Sequence, residues 1–278
     1  MTSMKYIEIE APAELRGCIK FFWHMSSEGP LHTALTSRVN PDGCSDLVVH
    51  RADSPVLLLP NSINNQSRIY VVGPQMRSML FGFSGNVRVI GACLQPGALP
   101  SLFNRPAREF CGEIVNLWDL APTLATSIED HISGATEKEE ITQFAEALKK
   151  YYRPASVSSS LVNIAINIIE HSCPSTPISQ IAESMSISQR QLERGFDYMI
   201  GLSPKLYCRI VRFNRVVRRI NGSKRSLSWA ELASEHGYYD QAHFVRDFQQ
   251  FSGTSPGLFE LERSGGPMSD LYNTNHQN

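Results

Sequence analysis

The strongest constraint on this chain is an internal repeat near its C-terminal end. Ser188, Arg194, Phe196, Gly201, Ser203 and Pro204 recur as Asp240, Arg246, Phe248, Gly253, Ser255 and Pro256, all at an offset of 52 residues. Upstream, Ile181-Ala182 matches Leu232-Ala233 at an offset of 51, so the copies differ by one residue in a turn, where an insertion does least harm. Each copy has the same grammar: a short helix, a tight turn, a second helix behind a good N-cap, a glycine stop, and Ser-Pro opening the next helix. Ser188 with Gln191 fits a capping box for a helix over 189–199, and Pro177 suits the first position of the helix before it. Ser228 with Glu231 fits a second box, Asp240 caps a helix over 241–251, and Gly201, Gly237 and Gly253 supply the stops and the turn. The grammar predicts two helix-turn-helix units.

Between the units, 204–221 places Leu206, Ile210, Phe213, Val217 and Ile220 on one stripe, the pattern of a single long helix. Such a rigid spacer is expected to hold the units about one DNA turn, ~34 Å, apart. Residues 205–225 contain eight Lys or Arg and no Asp or Glu, a local field that the net charge of -1 for the 278-residue chain conceals. A basic helix between two helix-turn-helix units suits phosphates, and Arg212 and Arg219 are its expected phosphate contacts. In the two second helices, Leu192, Phe196 and Met199, and Phe244, Phe248 and Phe251, form the inward faces. Arg190, Glu193, Arg194 and Asp197 then point outward in the first, and Gln241, Ala242, Val245 and Arg246 in the second. Arginine can bond guanine bidentately, glutamine adenine, glutamate can accept from cytosine, and Ala or Val can pack on a thymine methyl. The set is chemically competent to read double-stranded DNA.

The N-terminal part differs in kind. From 34 to 94 it runs through short apolar stretches, DLVVH, PVLLLP, RIYVVG and VRVIGACL, separated by Pro, Gly, Asn and Ser. A short helix is expected over 13–22, with helices around 98–103 and 121–132. The stretch 137–152 starts acidic and ends basic, with Ile141, Phe144, Ala145 and Leu148 on one stripe, and reads as an amphipathic connector. Arg153-Pro154 and the run SVSSS at 156–160 end it. The expected organisation is α+β: a β-rich sensing domain with flanking helices over 1–120, a helical connector over 121–157, an all-α domain with two helix-turn-helix units over 158–263, and a disordered tail over 264–278.

The residues GYYDQAHFVRDFQQFSGTSP, preceded by SLSWAELASEH, resemble the signature segment of the AraC/XylS family of bacterial transcription regulators, and ISQIAESMSISQRQLERGFDYMIGLSP resembles its degenerate first copy. The similarity runs over 160–262. It implies two helices entering successive major grooves, with groove contacts from Arg190, Glu193 and Arg194, and from Gln241, Ala242, His243 and Arg246. Two positions depart from the pattern. Ser186 stands where a turn glycine is common, and Glu193 brings negative charge toward phosphates. FFW at 21–23, NPDGCSDLVV at 40–49 and LQPGAL at 94–99 resemble a poorly characterised domain found in front of such modules. In the wider family, β-rich N-terminal domains bind effectors and dimerise, which is the expectation the resemblance carries here.

Enzymatic chemistry is not expected. Gly73, Gly82, Gly85 and Gly91 form no nucleotide fingerprint, and GxSxG, HExxH and P-loop motifs are absent. The six cysteines are widely spaced without a CxxC pair, which excludes a four-cysteine zinc site of the kind that supports methyl transfer in a related regulator class. Asp42, Cys44 and Asp46 alternate, with His50 close by and His24, His32 and Cys93 elsewhere. PDG is a turn, however, and Cys44 reads as a small buried side chain, so no metal and no cofactor are expected. Trp23, Phe81, Phe83, Phe103 and Trp118 could line a pocket for an apolar or aromatic effector, or form plain core. With no signal-peptide pattern and no apolar stretch of membrane-spanning length, the expected location is the cytoplasm. The expected partners are double-stranded DNA, a small-molecule effector, a second copy of the chain and, for an activator, RNA polymerase. The competing reading gives the N-terminal domain only a dimerisation or protein-partner role.

Overall fold

A computed structural model describes residues 4–53, 56–57, 67–134, 136–153, 157–171, 176–223 and 228–264. The side chains of SVSSS at 156–160, whose last four residues already belong to a helix, the outer parts of PVLLLP, and the tail from 265 lie outside the described residues. The chain is α+β, with sheets in its N-terminal half and helices in its C-terminal half.

Among the described residues, nine strands build two antiparallel sheets. The first has the order β1 (Met4–Glu10), β2 (Ile19–Ser27), β8 (Arg88–Leu94), β4 (Ser45–His50), β6 (Ile69–Val72), β9 (Ile114–Asn116). The second has the order β3 (Leu31–Val39), β7 (Met79–Gly85), β5 (Val56–Leu57). Strand runs such as IYVV are apolar throughout because both faces of the larger sheet are covered. Phe22, Leu47, Val49, Val71, Ile90 and Ala92 face one core, and Trp23, Met25, Val48, Tyr70, Val72 and Val89 face another, against the smaller sheet.

This two-sided burial overrides the helix expected over 13–22. Only a single 3-10 turn forms, Ala13–Leu15, and β2 follows at Ile19. Phe22 and Trp23 must enter opposite cores, which a strand of period two allows and a helix of period 3.6 does not. The β region likewise begins at Met4, well before 34.

Helices α1 (Leu99–Phe103), α2 (Leu117–Leu120), α3 (Pro122–His131) and α4 (Glu137–Lys149) follow. The last carries a full capping box between Thr136 and Glu139. Expected as part of a connector, α3 and α4 instead close the first core: Leu124, Ile128, Ile141, Phe144 and Leu148 are buried in it, and Phe144 stands edge-on to Phe22 with ring centroids 5.7 Å apart. Glu140, 1% exposed, adds a polar clamp that the apolar stripe did not foretell. Its Oε2 lies 3.1 Å from His24 Nε2 and accepts from Arg88 Nε at 3.0 Å, while Oε1 lies 3.6 Å from Arg51 Nε.

The C-terminal half holds α5 (Val157–His171), α6 (Ile178–Ser184), α7 (Gln189–Met199), α8 (Pro204–Asn221), α9 (Trp229–Glu235), α10 (Gln241–Ser252) and α11 (Pro256–Ser264) around one core. Tyr207 and Val216 are buried beside the expected stripe of α8, because this helix is packed on more than one side. Among the described residues, several polar contacts join the two halves. Ser78 N–H donates to Phe251 O at 2.7 Å, and Arg38 reaches both Ser252 O and Glu262. Arg108 pairs with Asp197 at 2.9 Å, and Asn214 Nδ2 donates to Pro41 O at 2.8 Å. No helix among the described residues is long and apolar enough to cross a membrane.

Candidate nucleic-acid interface

The two repeat copies fold to the same local plan for identifiable reasons. The Ser188 side chain accepts from Gln191 N–H while Gln191 bonds back, and Asp240 accepts from His243 N–H at 2.6 Å, so α7 and α10 both begin on a side-chain cap. Pro177 is the N-cap of α6, one position before the place expected for it. In the turns, Gly237 has φ +71° and Ser186, its counterpart 51 residues earlier, has φ +56°. The backbone therefore keeps the left-handed turn even where the glycine is missing, at a cost of roughly 1 kcal/mol.

Beneath α10, Phe244, Phe248 and Phe251 are fully buried, and beneath α7 so are Leu192, Phe196 and, nearly, Met199. The opposite faces are left to solvent except at Val245, expected outward, which is half-buried against the same core. Arg190, Glu193 and Arg194 on α7, and Gln241, Ala242 and Arg246 on α10, are exposed. Asp197 is exposed, as expected, and pairs across the seam with Arg108 of the N-terminal half, so the C-terminal end of α7 serves docking between halves.

Between the two units lies a cleft of about 580 Å³, lined by Gln189 and Glu193 of α7, by Lys205, Cys208, Arg209 and Arg212 of α8, and by His243 of α10. It brings together three of the expected residues, Glu193, Arg212 and His243, from three different helices. Arg190, Arg194, Gln241, Ala242 and Arg246 do not line it but are exposed on α7 and α10, and Arg219 is exposed toward the far end of α8. The cations of α8 are not equivalent. Arg209 forks onto Asp247, with Nη2 to Oδ1 at 2.6 Å and Nε at 3.1 Å, and so ties α8 to α10. Arg215 Nη2 donates to Glu170 O at 2.6 Å, a helix-end contact with α5. Arg212 lies 5.0 Å over the Tyr238 ring, which stands edge-on to His243, so its guanidinium is held at the cleft wall.

Lys205 and Arg209 line the cleft without having been singled out individually in the sequence, although the basic run contains both. Tyr239 was missed altogether: it is 93% exposed, immediately before the cap of α10. The doubled aromatic in GYYD was the available signal, since Tyr238 fills the interior place and leaves its neighbour outside.

The aromatic residues named for an effector pocket divide. Trp23, Phe81 and Phe83 line a cavity between the two sheets, together with Asp46, His50 and Tyr70. Phe103 packs instead against Phe110 beside the other core, and Trp118 is 38% exposed on α2. The cavity measures only about 40 Å³, far below the ~300–1,000 Å³ usual for a small-molecule site. Its polar groups are strongly perturbed: burial, and then the Asp42 charge, push the Asp46 carboxyl up to about 7 against the bond from the Trp23 indole, and burial pushes His50 down to about 4.

Two family models match separate parts of the chain. Residues 181–260 match a family described as a helix-turn-helix domain, and residues 7–116 match a domain of unknown function (DUF6597). A probable thc operon regulatory protein of Rhodococcus erythropolis is 24% identical over 109 residues, 38% of this chain. The chain spans only 33% of the length of that curated relative. Among solved structures, an AraC-type DNA-binding protein from Chromobacterium violaceum aligns with 40% of this chain and 97% of its own at 22% identity and a TM-score of 0.36. An apo ToxT variant from Vibrio cholerae aligns with 91% and 98% at 12% identity and a TM-score of 0.45. The helix-turn-helix match thus spans both repeat copies, and the match to the domain of unknown function spans most of the strand-bearing part from β1 to β9.

Proposed function

We propose that this chain is a sequence-specific transcription regulator that binds double-stranded DNA through both helix-turn-helix units, with its N-terminal half setting how the DNA-binding half is held. One observation carries the reading: two capped helices with exposed polar faces flank a cleft floored by the basic helix α8. Arg190 and Arg246 are the residues best placed for guanine, being exposed on the outer faces of α7 and α10. Arg194, Glu193, Gln241, Ala242 and His243 complete the groove contacts, and Arg219 and Lys205 meet phosphates. Arg212 combines a phosphate contact with its stacking on Tyr238. Asn214, Arg108 and Arg38 supply the links by which the N-terminal half acts on the DNA-binding half. An effector, where one is used, acts through those links.

The test is binding of variants to a library of single-base-substituted duplexes, selected from genomic fragments, at two salt concentrations. Arg190→Ala and Arg246→Ala are each expected to cost about 1–3 kcal/mol and to relax preference at one base position. Arg219→Ala should instead weaken every duplex alike and lower the salt slope by about one unit, because a phosphate contact is indifferent to sequence. Base preferences left untouched by both α7 and α10 arginine variants would show that these residues do not read bases.

A further inference from the structure

We propose that Asp42, Cys44 and Cys93 form a binding site for a borderline-soft divalent cation, Zn²⁺ by ligand chemistry, at the seam where the larger sheet meets the DNA-binding half. In the sequence Cys93 stands 49 residues from Cys44. The pairing of β4 with β8 removes that distance: Ser45 lies opposite Leu94 and Asp46 opposite Cys93, so Cys44 and Cys93 share a sheet face. One carboxylate oxygen of Asp42 and the two sulfurs all lie within 4.8 Å of one another, a spacing one bound ion can bridge. Both cysteines are buried, at 6% and 3% exposure.

The same ladder argues against a disulfide. Cys44 and Cys93 are diagonal rather than directly opposite, and diagonal partners across an antiparallel pair stand about 7–8 Å apart. That is at or beyond the reach of a disulfide, whose Cα atoms lie within about 7 Å. A tetrahedral ion between two thiolates has no such difficulty, since each Zn–S bond is about 2.3 Å long. Charge also balances. Two thiolates and a carboxylate around Zn²⁺ leave one net negative charge, and the Lys20 ammonium lies in the field of all three ligands. Three protein ligands leave the fourth position for water or an exchangeable ligand, the arrangement of an open site.

The place of the cluster connects it to DNA binding, a link that rests on the function proposed above. Asp42 and Cys44 belong to the segment that seats α8. Pro41 O accepts from Asn214, and Gly43, at φ +81°, lies so close to Tyr207 that a Cβ there would stand 2.5 Å from its ring. A cation drawing Asp42 and Cys44 toward Cys93 therefore fixes the surface on which α8 rests.

The full chain, reduced and metal-free, is to be titrated with Co²⁺ and then Zn²⁺. Thiolate-to-cobalt charge-transfer absorption that is displaced by Zn²⁺ is expected, and it should be lost in Cys44→Ser and in Cys93→Ser. Asp42→Asn keeps an oxygen for the Cys44 N–H, which Asp42 Oδ1 accepts at 2.9 Å, while removing the charge. It should weaken Zn²⁺ binding by more than the roughly 10–100-fold that loss of an outer-shell partner costs. Circular dichroism matching the parent chain establishes that each variant is folded. No charge-transfer band, or a band that survives both serine substitutions, overturns the site. So does ready formation of a Cys44–Cys93 disulfide by glutathione disulfide in a chain that takes up no cobalt. Duplex binding, measured separately with and without Zn²⁺, distinguishes the two readings: a chain that binds cobalt but never DNA refutes the proposed function and leaves the metal site standing.

Discussion

Phe248→Ala is expected to lower folding stability by about 3–5 kcal/mol and, through unfolding, to abolish DNA binding. The ring is fully buried at the centre of an aromatic cluster. It stands 5.2 Å from the Phe213 ring of α8, 5.7 Å from Phe244 and 5.3 Å from Phe259 of α11, each in an edge-on arrangement. Truncation to alanine loses the transfer energy of the ring and opens a cavity between three helices, and edge-to-face contacts add about 0.5–1.5 kcal/mol for each pair. Urea unfolding measured beside duplex binding separates this loss from a contact effect. Phe248→Leu, which keeps most of the volume, should recover much of both. A variant that loses DNA binding with its unfolding midpoint unchanged would mean that Phe248 acts on the interface by another route.

Glu140→Gln is expected to destabilise the chain by about 3 kcal/mol near neutral pH, at the low end of the range for breaking a buried ion pair. The low end applies because the two guanidinium groups left behind, those of Arg88 and Arg51, are 37% and 29% exposed and can turn toward water. His24, at 2% exposure, cannot. The pH dependence has a definite sign. Burial alone would raise the Glu140 carboxyl, but the His24 and Arg88 hydrogen bonds and the Arg88 charge outweigh it and hold the carboxyl below its ordinary value. A carboxyl lowered in the folded state contributes stability that is complete above its unfolded pKa of about 4.3 and is lost as pH falls through the folded value. Denaturant melts across the acid range should therefore show the parent chain losing its advantage over Glu140→Gln as pH drops below about 4. A gap between the two chains that stays constant from neutral to acid pH would contradict the clamp.

The repeat made the C-terminal half legible. Caps, glycine stops and a heptad-like apolar stripe are local signals, each acting within a turn or two of helix, so Ser188, Asp240 and Gly253 could be assigned their roles from neighbours in sequence. The same locality revealed which faces of α7 and α10 are buried, because a helix of known phase has only one apolar side. The left-handed turn at Ser186 was legible only by analogy with Gly237, since no serine by itself demands φ +56°.

What the sequence alone determined, then, was two capped helix-turn-helix units on a basic spacer, preceded by a β-rich region. Tertiary structure alone decided what depends on partners far along the chain. The FFW segment became a strand because its neighbours Phe22 and Trp23 are drawn into cores on opposite faces of a sheet, whose second layer comes from β3, β7 and β5. The amphipathic stretch after Glu137 became part of the N-terminal core because Glu140 meets His24 and Arg88 across 116 and 52 residues. Asp197 turned to Arg108, and Cys93 to Cys44, through packing and strand pairing that no local pattern encodes. The physical reason is the same in each case. Capping and periodicity are set by interactions a few residues long, whereas strand register, domain docking and charge clusters are set by which distant surfaces exclude water together.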